Sequence, residues 1–292
     1  MPRYLDVTVP NGATVHYVEA GDSSKPTLVL LHGFPTSSTQ YRLLIPLLSK
    51  QYHIYAPDLP GFGLTTVPKD YQHTFSNMAT TIGQWLDTLQ IKAFAVYIFD
   101  YGAPTLFRLA LERPESIKAI ITQNGNAYEE GLGPDFWAPL QQWWASGDAS
   151  HKETREMISG AVLNVSHFKD EYTLGVPKDN LTMVDPSAWT NDYLNNAYTA
   201  EQKNIQLDLF YSYGSNVQLY PQFQQYLRDY QPPVLAVWGK GDPCFIPPGA
   251  EAYKRDVKNA EVHLLDGGHF LLETHVEEVA DKVKVFLSKN YV

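Results

Sequence analysis

Three residues in this chain, Asp100, Asp242 and His269, could together carry out nucleophilic hydrolysis. Each follows an apolar run that predicts a buried strand, so each is expected on a loop at the carboxyl edge of one sheet. A carboxylate is a poor nucleophile toward acyl carbon but a competent one toward a saturated carbon that carries a leaving group. A histidine oriented by a second carboxylate can then activate water. These residue types predict hydrolysis through a covalent ester on Asp100.

Asp100 stands at the turn between an apolar strand, Phe94–Phe99, and the helical pattern that follows it. A residue at such a turn projects its side chain above the sheet edge, close to backbone N–H groups. Aspartate is also a common cap for a following helix, and this alternative applies to Asp100 taken alone. The chain order Asp100, Asp242, His269 is that of nucleophile, acid and histidine in this type of sheet, and it favours the catalytic interpretation.

Two backbone N–H groups are candidates for an oxyanion hole beside Asp100. The strand Thr27–Leu31 ends in His32-Gly-Phe-Pro, whose glycine allows a close backbone approach, and the Phe34 N–H is expected to point toward the same space. The Tyr101 N–H is the second predicted donor. His32 itself is expected to fix the loop rather than to react. Phe34 and Tyr101 are therefore predicted to stabilise an oxyanion and to line the substrate site.

Strand and helix patterns alternate along most of the chain, which predicts an α/β fold with a mostly parallel, doubly wound sheet. An antiparallel hairpin around Asn11-Gly12 is expected at its start. The buried strands are predicted at Thr27–Leu31, Ile54–Ala56, Phe94–Phe99, Ala119–Thr122, Val234–Trp238 and Val262–Leu265. Helix starts are expected at Ser76-Asn77 and at Val276.

The alternation stops between residues 126 and 231, a segment rich in aromatic residues with polar helical spacers. This segment predicts a helical cap over the carboxyl edge of the sheet, inserted into a core domain formed by residues 1–125 and 232–292. Most of its aromatic side chains are expected to pack within the cap itself. The few that lie above Asp100 favour a small apolar substrate.

Composition and charge narrow the choice of partner. The formal net charge of −10 at pH 7, without a Lys- or Arg-rich run, argues against binding to nucleic acid or to an anionic membrane. No apolar run approaches the ~20 residues of a membrane span, and no signal-peptide pattern opens the chain, so a cytoplasmic location is expected. The oligomeric state is left open between a monomer and a homodimer.

No cofactor is predicted from the motifs of this chain. It has no G-x-G-x-x-G after a strand and no His, Cys and Asp spacing typical of a metal site. The single cysteine, Cys244, excludes an internal disulfide and is expected to be inert packing. A small-molecule substrate and water are the expected partners.

Four motifs together resemble the α/β-hydrolase superfamily over essentially the whole chain. They are His-Gly-Phe-Pro at 32–35, Asp-Leu-Pro-Gly-Phe-Gly at 58–63, the turn at Asp100 and the Gly-Gly-His that ends at His269. An aspartate followed by an aromatic residue resembles the branch of epoxide hydrolases and haloalkane dehalogenases, which share a helical cap and an alkyl-enzyme ester. Ile98 departs from the small residue that is usual two positions before the nucleophile. Asn124 stands where some dehalogenases keep their acid, which leaves that role to Asp242.

The leaving group separates the two families of this branch. In epoxide hydrolases a cap tyrosine precedes the acid by about thirty residues, and Tyr211 and Tyr213 straddle that spacing, so either is implied as the acid for ring opening. Trp143 and Trp144 instead resemble the halide contacts and substrate-binding residues of dehalogenases. Tyr101, where tryptophan often supplies an N–H, favours the epoxide. We therefore predict an epoxide hydrolase, with a haloalkane or haloacid dehalogenase and a non-catalytic ligand-binding protein of this fold as alternatives.

Overall fold

The computed structural model describes residues 1–291, which form one sheet of eight strands with helices on both of its faces. The strands are β1 (Arg3–Thr8), β2 (Thr14–Ala20), β3 (Thr27–Leu31), β4 (His53–Pro57), β5 (Phe94–Phe99), β6 (Ile117–Gln123), β7 (Val234–Gly239) and β8 (Glu261–Leu265). Their order across the sheet is β1-β2-β4-β3-β5-β6-β7-β8.

Only the first part of the sheet is antiparallel. β2 pairs antiparallel with β1 and with β4, and all later pairs are parallel. All six residues of β5 are buried, because a parallel sheet is covered on both faces. The predicted hairpin and the predicted α/β fold are both confirmed.

The helices are α1 (Ile45–Leu48), α2 (Phe75–Thr88), α3 (Gly102–Glu112), α4 (Pro134–Ser146), α5 (Lys152–Val162), α6 (Val165–Thr173), α7 (Pro186–Asn196), α8 (Ala200–Tyr230), α9 (Pro248–Asp256) and α10 (Leu272–Asn290). The predicted start of α2 is too late, because the helix is capped by Thr74, whose hydroxyl accepts the Asn77 N–H. α10 contains a break at His275 (φ −131°), so a short first turn precedes the long helix that starts at Val276, as predicted.

The strand order creates a crevice at the carboxyl edge of the sheet. β3 lies between β4 and β5, so the connection that follows β3 runs to one side and the connection that follows β5 runs to the other. Such a switch point is where open α/β sheets bind ligands. Leu31 of β3 pairs with Ile98 of β5, which brings the loops beyond them into contact.

Residues 126–231 contain helices α4 to α8 and contribute no strand to the sheet. These helices reach the crevice, because the ring of Phe34 packs against Phe168 and Phe210 with centroids 5.6 and 5.0 Å apart. The division into a core domain and a cap stays a prediction. The last residue of the predicted core domain, Val292, lies outside the described residues. Among residues 1–291, no helix combines the length and the hydropathy that crossing a bilayer requires.

Candidate active site

Asp100 sits on a strained turn between β5 and α3. Its φ of +46° is unusual for any residue except glycine. Two glycines allow this turn to approach the loop after β3. A Cβ on Gly102 would lie 2.1 Å from the Leu31 carbonyl oxygen, and one on Gly33 would lie 2.1 Å from Asp100 Oδ1.

The predicted oxyanion donors lie beside this carboxylate. The Phe34 N–H donates to Asp100 Oδ1 at 2.5 Å, and the Tyr101 N–H lies close enough to help lower the pKa of Asp100. His32 fixes the loop, because its Nε2 accepts the Leu59 N–H at 2.8 Å. Burial lowers the pKa of His32 to about 4, so its imidazole is neutral and can accept. The Phe34 N–H therefore holds Oδ1, an oxygen on which an oxyanion could form.

Asp242 and His269 form a second buried pair. His269 Nδ1 lies 2.6 Å from Asp242 Oδ2, while the N–H groups of Cys244 and Phe245 donate to Asp242 Oδ1 at 2.7 and 3.1 Å. Asn124 donates to Asp242 Oδ2 at 2.6 Å. This network leaves Asp242 able to orient the imidazole of His269.

Asn124 is a positioning residue whose role the sequence did not indicate. It follows β6 with a φ of +47°, a conformation that asparagine tolerates better than most residues. Its side-chain oxygen accepts the Gly239 N–H at 3.0 Å while its amide nitrogen holds Asp242. Asn124 thereby links the ends of β6 and β7.

Ile98 lies next to Gly125 at an ordinary packing distance. Gly125 follows β6, and a Cβ there would lie 3.4 Å from Ile98 Cγ1 and 2.7 Å from Thr122 Oγ1. The side chain of Ile98 is fully buried. The larger residue before the turn is thus compatible with the strained conformation of Asp100.

Burial and charge shift the pKa values of Asp100 and His269. Burial raises the pKa of Asp100 to about 7, although the charge of His269 and the two N–H donors oppose the rise. Burial alone would lower the pKa of His269, but the charge and the hydrogen bond of Asp242 outweigh this effect and raise it to about 9. Between these two values the carboxylate is ionised and the imidazole is protonated.

A small cavity of about 10 Å³ lies above Asp100. It is lined from the sheet side by Phe34, Asp100, Tyr101, Cys244, Phe245 and His269, and from the helices by Phe136, Trp137, Glu171 and Phe210. Asp100 and His269 are only 4% and 2% exposed. The predicted nucleophile, histidine and oxyanion-hole residues therefore share one enclosed cavity.

Neither of the predicted cap tyrosines lines this cavity, although the ring of Tyr213 packs against Tyr101 with centroids 5.7 Å apart. Tyr213 directs its hydroxyl to the Tyr220 hydroxyl at 3.1 Å, and Tyr211 lines an outer groove with its ring against Trp143. Residues one apart on a helix point about 100° away from each other, and Phe210 occupies the face of α8 that meets the cavity. The spacing of residues along the chain could not predict which face of α8 meets the cavity.

The expected contact of Trp143 and Trp144 with a leaving halide is also wrong. Trp143 Nε1 donates to the Asp148 carbonyl oxygen and Trp144 Nε1 to that of Phe210, both at 2.9 Å, and neither residue lines the cavity. Trp137 lines it instead, but its Nε1 donates to the Cys244 carbonyl oxygen at 2.7 Å. All three indole N–H groups are therefore engaged by backbone.

Two polar side chains in the cavity were missed by the sequence analysis in this role. The Tyr101 hydroxyl is buried without a hydrogen-bond partner. Burial raises its pKa far above the usual range, and the charges of Asp100, Glu171 and Cys244 raise it further. Glu171 is a buried carboxylate from α6. Its only signal in the sequence is the i,i+4 spacing from His167.

Within the part of the chain that the structure describes, no three His, Cys, Asp or Glu side chains come together in a way that could hold a metal ion. The side chains around the cavity can supply a nucleophile, a base oriented by a carboxylate, and oxyanion donors. Cys244 is buried there, and burial raises the pKa of its thiol well above the ordinary value.

Comparisons with known proteins agree with this geometry. Residues 26–276 match the family model of the alpha/beta hydrolase fold. Over 288 residues the chain is 47% identical to the uncharacterized hydrolase YNR064C of Saccharomyces cerevisiae, covering 99% of this chain and 98% of the yeast protein. A haloalkane dehalogenase of Mycobacterium marinum is 32% identical over 127 residues, 42% of this chain and 43% of that protein. The solved epoxide hydrolase CorEH has a similar fold, with a TM-score of 0.77 at 20% identity over 99% of both chains.

Proposed function

The chain belongs to the α/β-hydrolase family, and we propose that it hydrolyses epoxides through a covalent ester on Asp100. The observation that carries the choice of leaving group is Tyr101, a residue that lines the cavity and whose hydroxyl is buried without a hydrogen-bond partner. An alkoxide leaving group needs a proton donor of this kind, whereas a halide needs only weak N–H donors. The indole N–H groups that could serve a halide donate to carbonyl oxygens instead.

In the first step the Asp100 carboxylate attacks an epoxide carbon in line with the C–O bond that breaks. Asp100 Oδ1 is held by the Phe34 N–H, so Oδ2 is the attacking oxygen. The C–O bond of the ring opens and Tyr101 donates its phenolic proton to the alkoxide. The products of this step are a hydroxyalkyl ester of Asp100 and a Tyr101 phenolate.

In the second step water attacks Asp100 Cγ and releases the diol. Neutral His269, oriented by Asp242 at 2.6 Å, removes the proton from water. The oxyanion forms on Oδ1, which already accepts the Phe34 N–H, with the Tyr101 N–H as the second predicted donor, and each such donor contributes roughly 3 kcal/mol to transition-state stabilisation. When the tetrahedral intermediate collapses, the bond between Cγ and Oδ2 breaks and Oδ2 leaves with the diol as its alkoxide. The proton of the new Cγ–OH passes to that alkoxide, which restores the Asp100 carboxylate.

The proton balance of this cycle supports the epoxide. At neutral pH His269 is protonated, since the Asp242 carboxylate outweighs burial and raises its pKa to about 9. That proton returns to the Tyr101 phenolate after ring opening and leaves His269 neutral for the second step. Attack of water then protonates His269 again. Halide departure consumes no proton, so His269 would have to lose its proton to solvent before each hydrolysis.

A haloalkane dehalogenase is the second candidate, favoured by the partial match to the Mycobacterium marinum enzyme. It shares the ester on Asp100 and the base His269, and it differs only in the group that leaves. A non-catalytic ligand-binding protein of this fold is the third. All three make different predictions for one trapping experiment.

The experiment traps the ester in a His269→Gln variant mixed with epoxybutane or with bromobutane, and measures the mass of the peptide that contains Asp100. The proposal expects an epoxybutane adduct on that peptide, and diol release by the wild type. An adduct from bromobutane alone, with halide release, supports the dehalogenase. Absence of an adduct from either compound overturns covalent catalysis. An Asp100→Ala, His269→Gln double variant is the control for labelling at other side chains.

A further inference from the structure

Glu171 places a carboxylate in the wall of a cavity that is otherwise mainly aromatic. It projects from α6 on the helical side, its side chain is only 4% exposed, and it lines the same cavity as Asp100 and His269. The proposed reaction assigns it no step. A buried carboxylate without a structural or chemical role costs free energy, because burial removes its water.

The contacts of Glu171 satisfy it only in part. Oε1 lies 2.8 Å from His167 Nε2, close enough for an ion pair although the angle is unsuitable for a hydrogen bond. The Cys244 thiol, a weak donor, lies 3.8 and 3.9 Å from the two carboxylate oxygens. Oε2 therefore has no strong donor in the protein, and a carboxylate offers about four acceptor sites.

His167 holds Glu171 in its ionised form. Burial would raise the pKa of Glu171, but the close approach and charge of His167 outweigh burial and lower it. The imidazole of His167 stacks on Phe136, with ring centroids 6.3 Å apart and planes 16° apart. Glu171 is therefore a fixed acceptor of hydrogen bonds, not a proton donor for ring opening.

An apolar substrate would leave this acceptor unpaired. Filling the cavity with hydrocarbon removes water from Oε2 and returns no hydrogen bond, and a hydrogen bond to a charged group is worth roughly 1.5–3 kcal/mol. A substrate hydroxyl at the same place would replace the lost water. Selectivity of this kind is large because the penalty falls on the substrate that lacks the hydroxyl.

We infer that Glu171 is a specificity-determining residue, which accepts a hydrogen bond from a hydroxyl group that the substrate carries beside its epoxide ring. The substrates are then small hydroxy-epoxides rather than purely apolar epoxides. This inference rests on the proposed function and corrects the apolar substrate expected from the aromatic residues. It adds no covalent step to the mechanism.

The first test compares glycidol with propylene oxide, which differ by one hydroxyl group. For the wild type, kcat/KM is expected to be roughly 10- to 100-fold higher for glycidol. Glu171→Gln keeps the shape but removes the charge, and it should bring the ratio close to one, mainly through the glycidol value. Glu273→Gln is the matched control, because Glu273 is another buried, ion-paired carboxylate outside the cavity, and it should leave the ratio unchanged.

Two results would overturn the inference: equal kcat/KM values for the two substrates in the wild type, or an equal loss for both in Glu171→Gln. A competition measurement does not depend on how well that variant folds. In His269→Gln with Glu171 intact, an equimolar mixture should label Asp100 mainly with glycidol. Equal labelling by the two substrates would contradict the role of Glu171 but support the covalent ester. No labelling by either substrate would contradict the proposed function itself.

Discussion

The cavity has two walls that differ in how fully their buried carboxylates are satisfied. On the sheet side, Asp242 accepts hydrogen bonds from His269, Asn124 and two backbone N–H groups. On the helical side, Glu171 has one ion pair and a weak thiol donor. In our proposals the first wall holds its groups in one geometry for chemistry, and the second keeps an acceptor free for a ligand. Changes in the sheet wall should therefore alter the rate, and changes in the helical wall should alter selectivity or stability.

The largest effect is expected for Asp100→Ala. Loss of the nucleophile should lower kcat by on the order of 10⁶-fold, as removal of a covalent nucleophile does in other hydrolases. The fold should not suffer, since the change removes a buried charge from a strained position. The rate of diol formation measures the loss of kcat, and the melting temperature measures the stability of the fold. Turnover within a hundredfold of the wild type would contradict the assignment of the sheet wall to chemistry.

The next effect is expected for Asp242→Ala. Hydrolysis of the ester should slow by about 10⁴-fold, because His269 loses the partner that fixes its orientation. Ester formation should slow less, so rapid-quench mass spectrometry should find the ester accumulating. The double change Asn124→Asp, Asp242→Asn moves the carboxylate to the end of β6 and should recover part of the rate. No recovery would mean that Asn124 cannot reach His269.

Tyr101→Phe tests the proton donor. Ring opening should slow by roughly 10²- to 10³-fold, in the range of general acid catalysis, and the melting temperature should hold or rise because an unpaired buried hydroxyl is lost. Tyr211→Phe is the matched control from the helical side and should change ring opening by less than about threefold, because its ring lies outside the cavity. If Tyr211→Phe slowed ring opening more than Tyr101→Phe, the proton donor would belong to the helical wall rather than to the sheet wall.

The pH dependence should distinguish the leaving groups. Ester formation needs ionised Asp100, with a pKa raised to about 7 by burial, so kcat/KM should fall about tenfold per pH unit below about 7. After ring opening, the return of a proton to the Tyr101 phenolate needs protonated His269, with a pKa raised to about 9 by Asp242, so kcat for an epoxide should fall about tenfold per pH unit above about 9. With a haloalkane the upper limb should be missing. If kcat for an epoxide kept rising above pH 9, the proposed transfer of a proton from His269 to the Tyr101 phenolate would be contradicted.

The smallest effect is expected for Trp144→Phe in the helical segment. The indole N–H donates to the Phe210 carbonyl oxygen, so its loss should lower the free energy of unfolding by about 1 kcal/mol. Turnover of an epoxide and of a haloalkane should stay within about twofold, since Trp144 does not line the cavity. Thermal unfolding measures the change in stability, and assays with an epoxide and a haloalkane measure the two turnover rates. A selective loss of haloalkane turnover would restore Trp144 as a halide contact.

The sheet side of the site could be predicted from the sequence, because the ends of parallel strands meet at one edge. Asp100, His269 and Phe34 follow such strands, and the chain alone places them together. The helical side could not be predicted in this way. Whether Phe210 or Tyr211 faces the cavity depends on the rotation of α8 about its axis, which packing decides. Glu171 gave no signal beyond its spacing from a histidine.

The closure of the cavity has a kinetic consequence. Phe136 and Phe210 line both the cavity and an outer groove next to His167, so these two rings separate the buried carboxylate from solvent. A molecule can reach Asp100 only while they are displaced, and the diol, which is bulkier and better hydrated than its precursor, must wait for the same displacement. Where such opening is slower than bond breaking, side-chain motion rather than chemistry limits the turnover number.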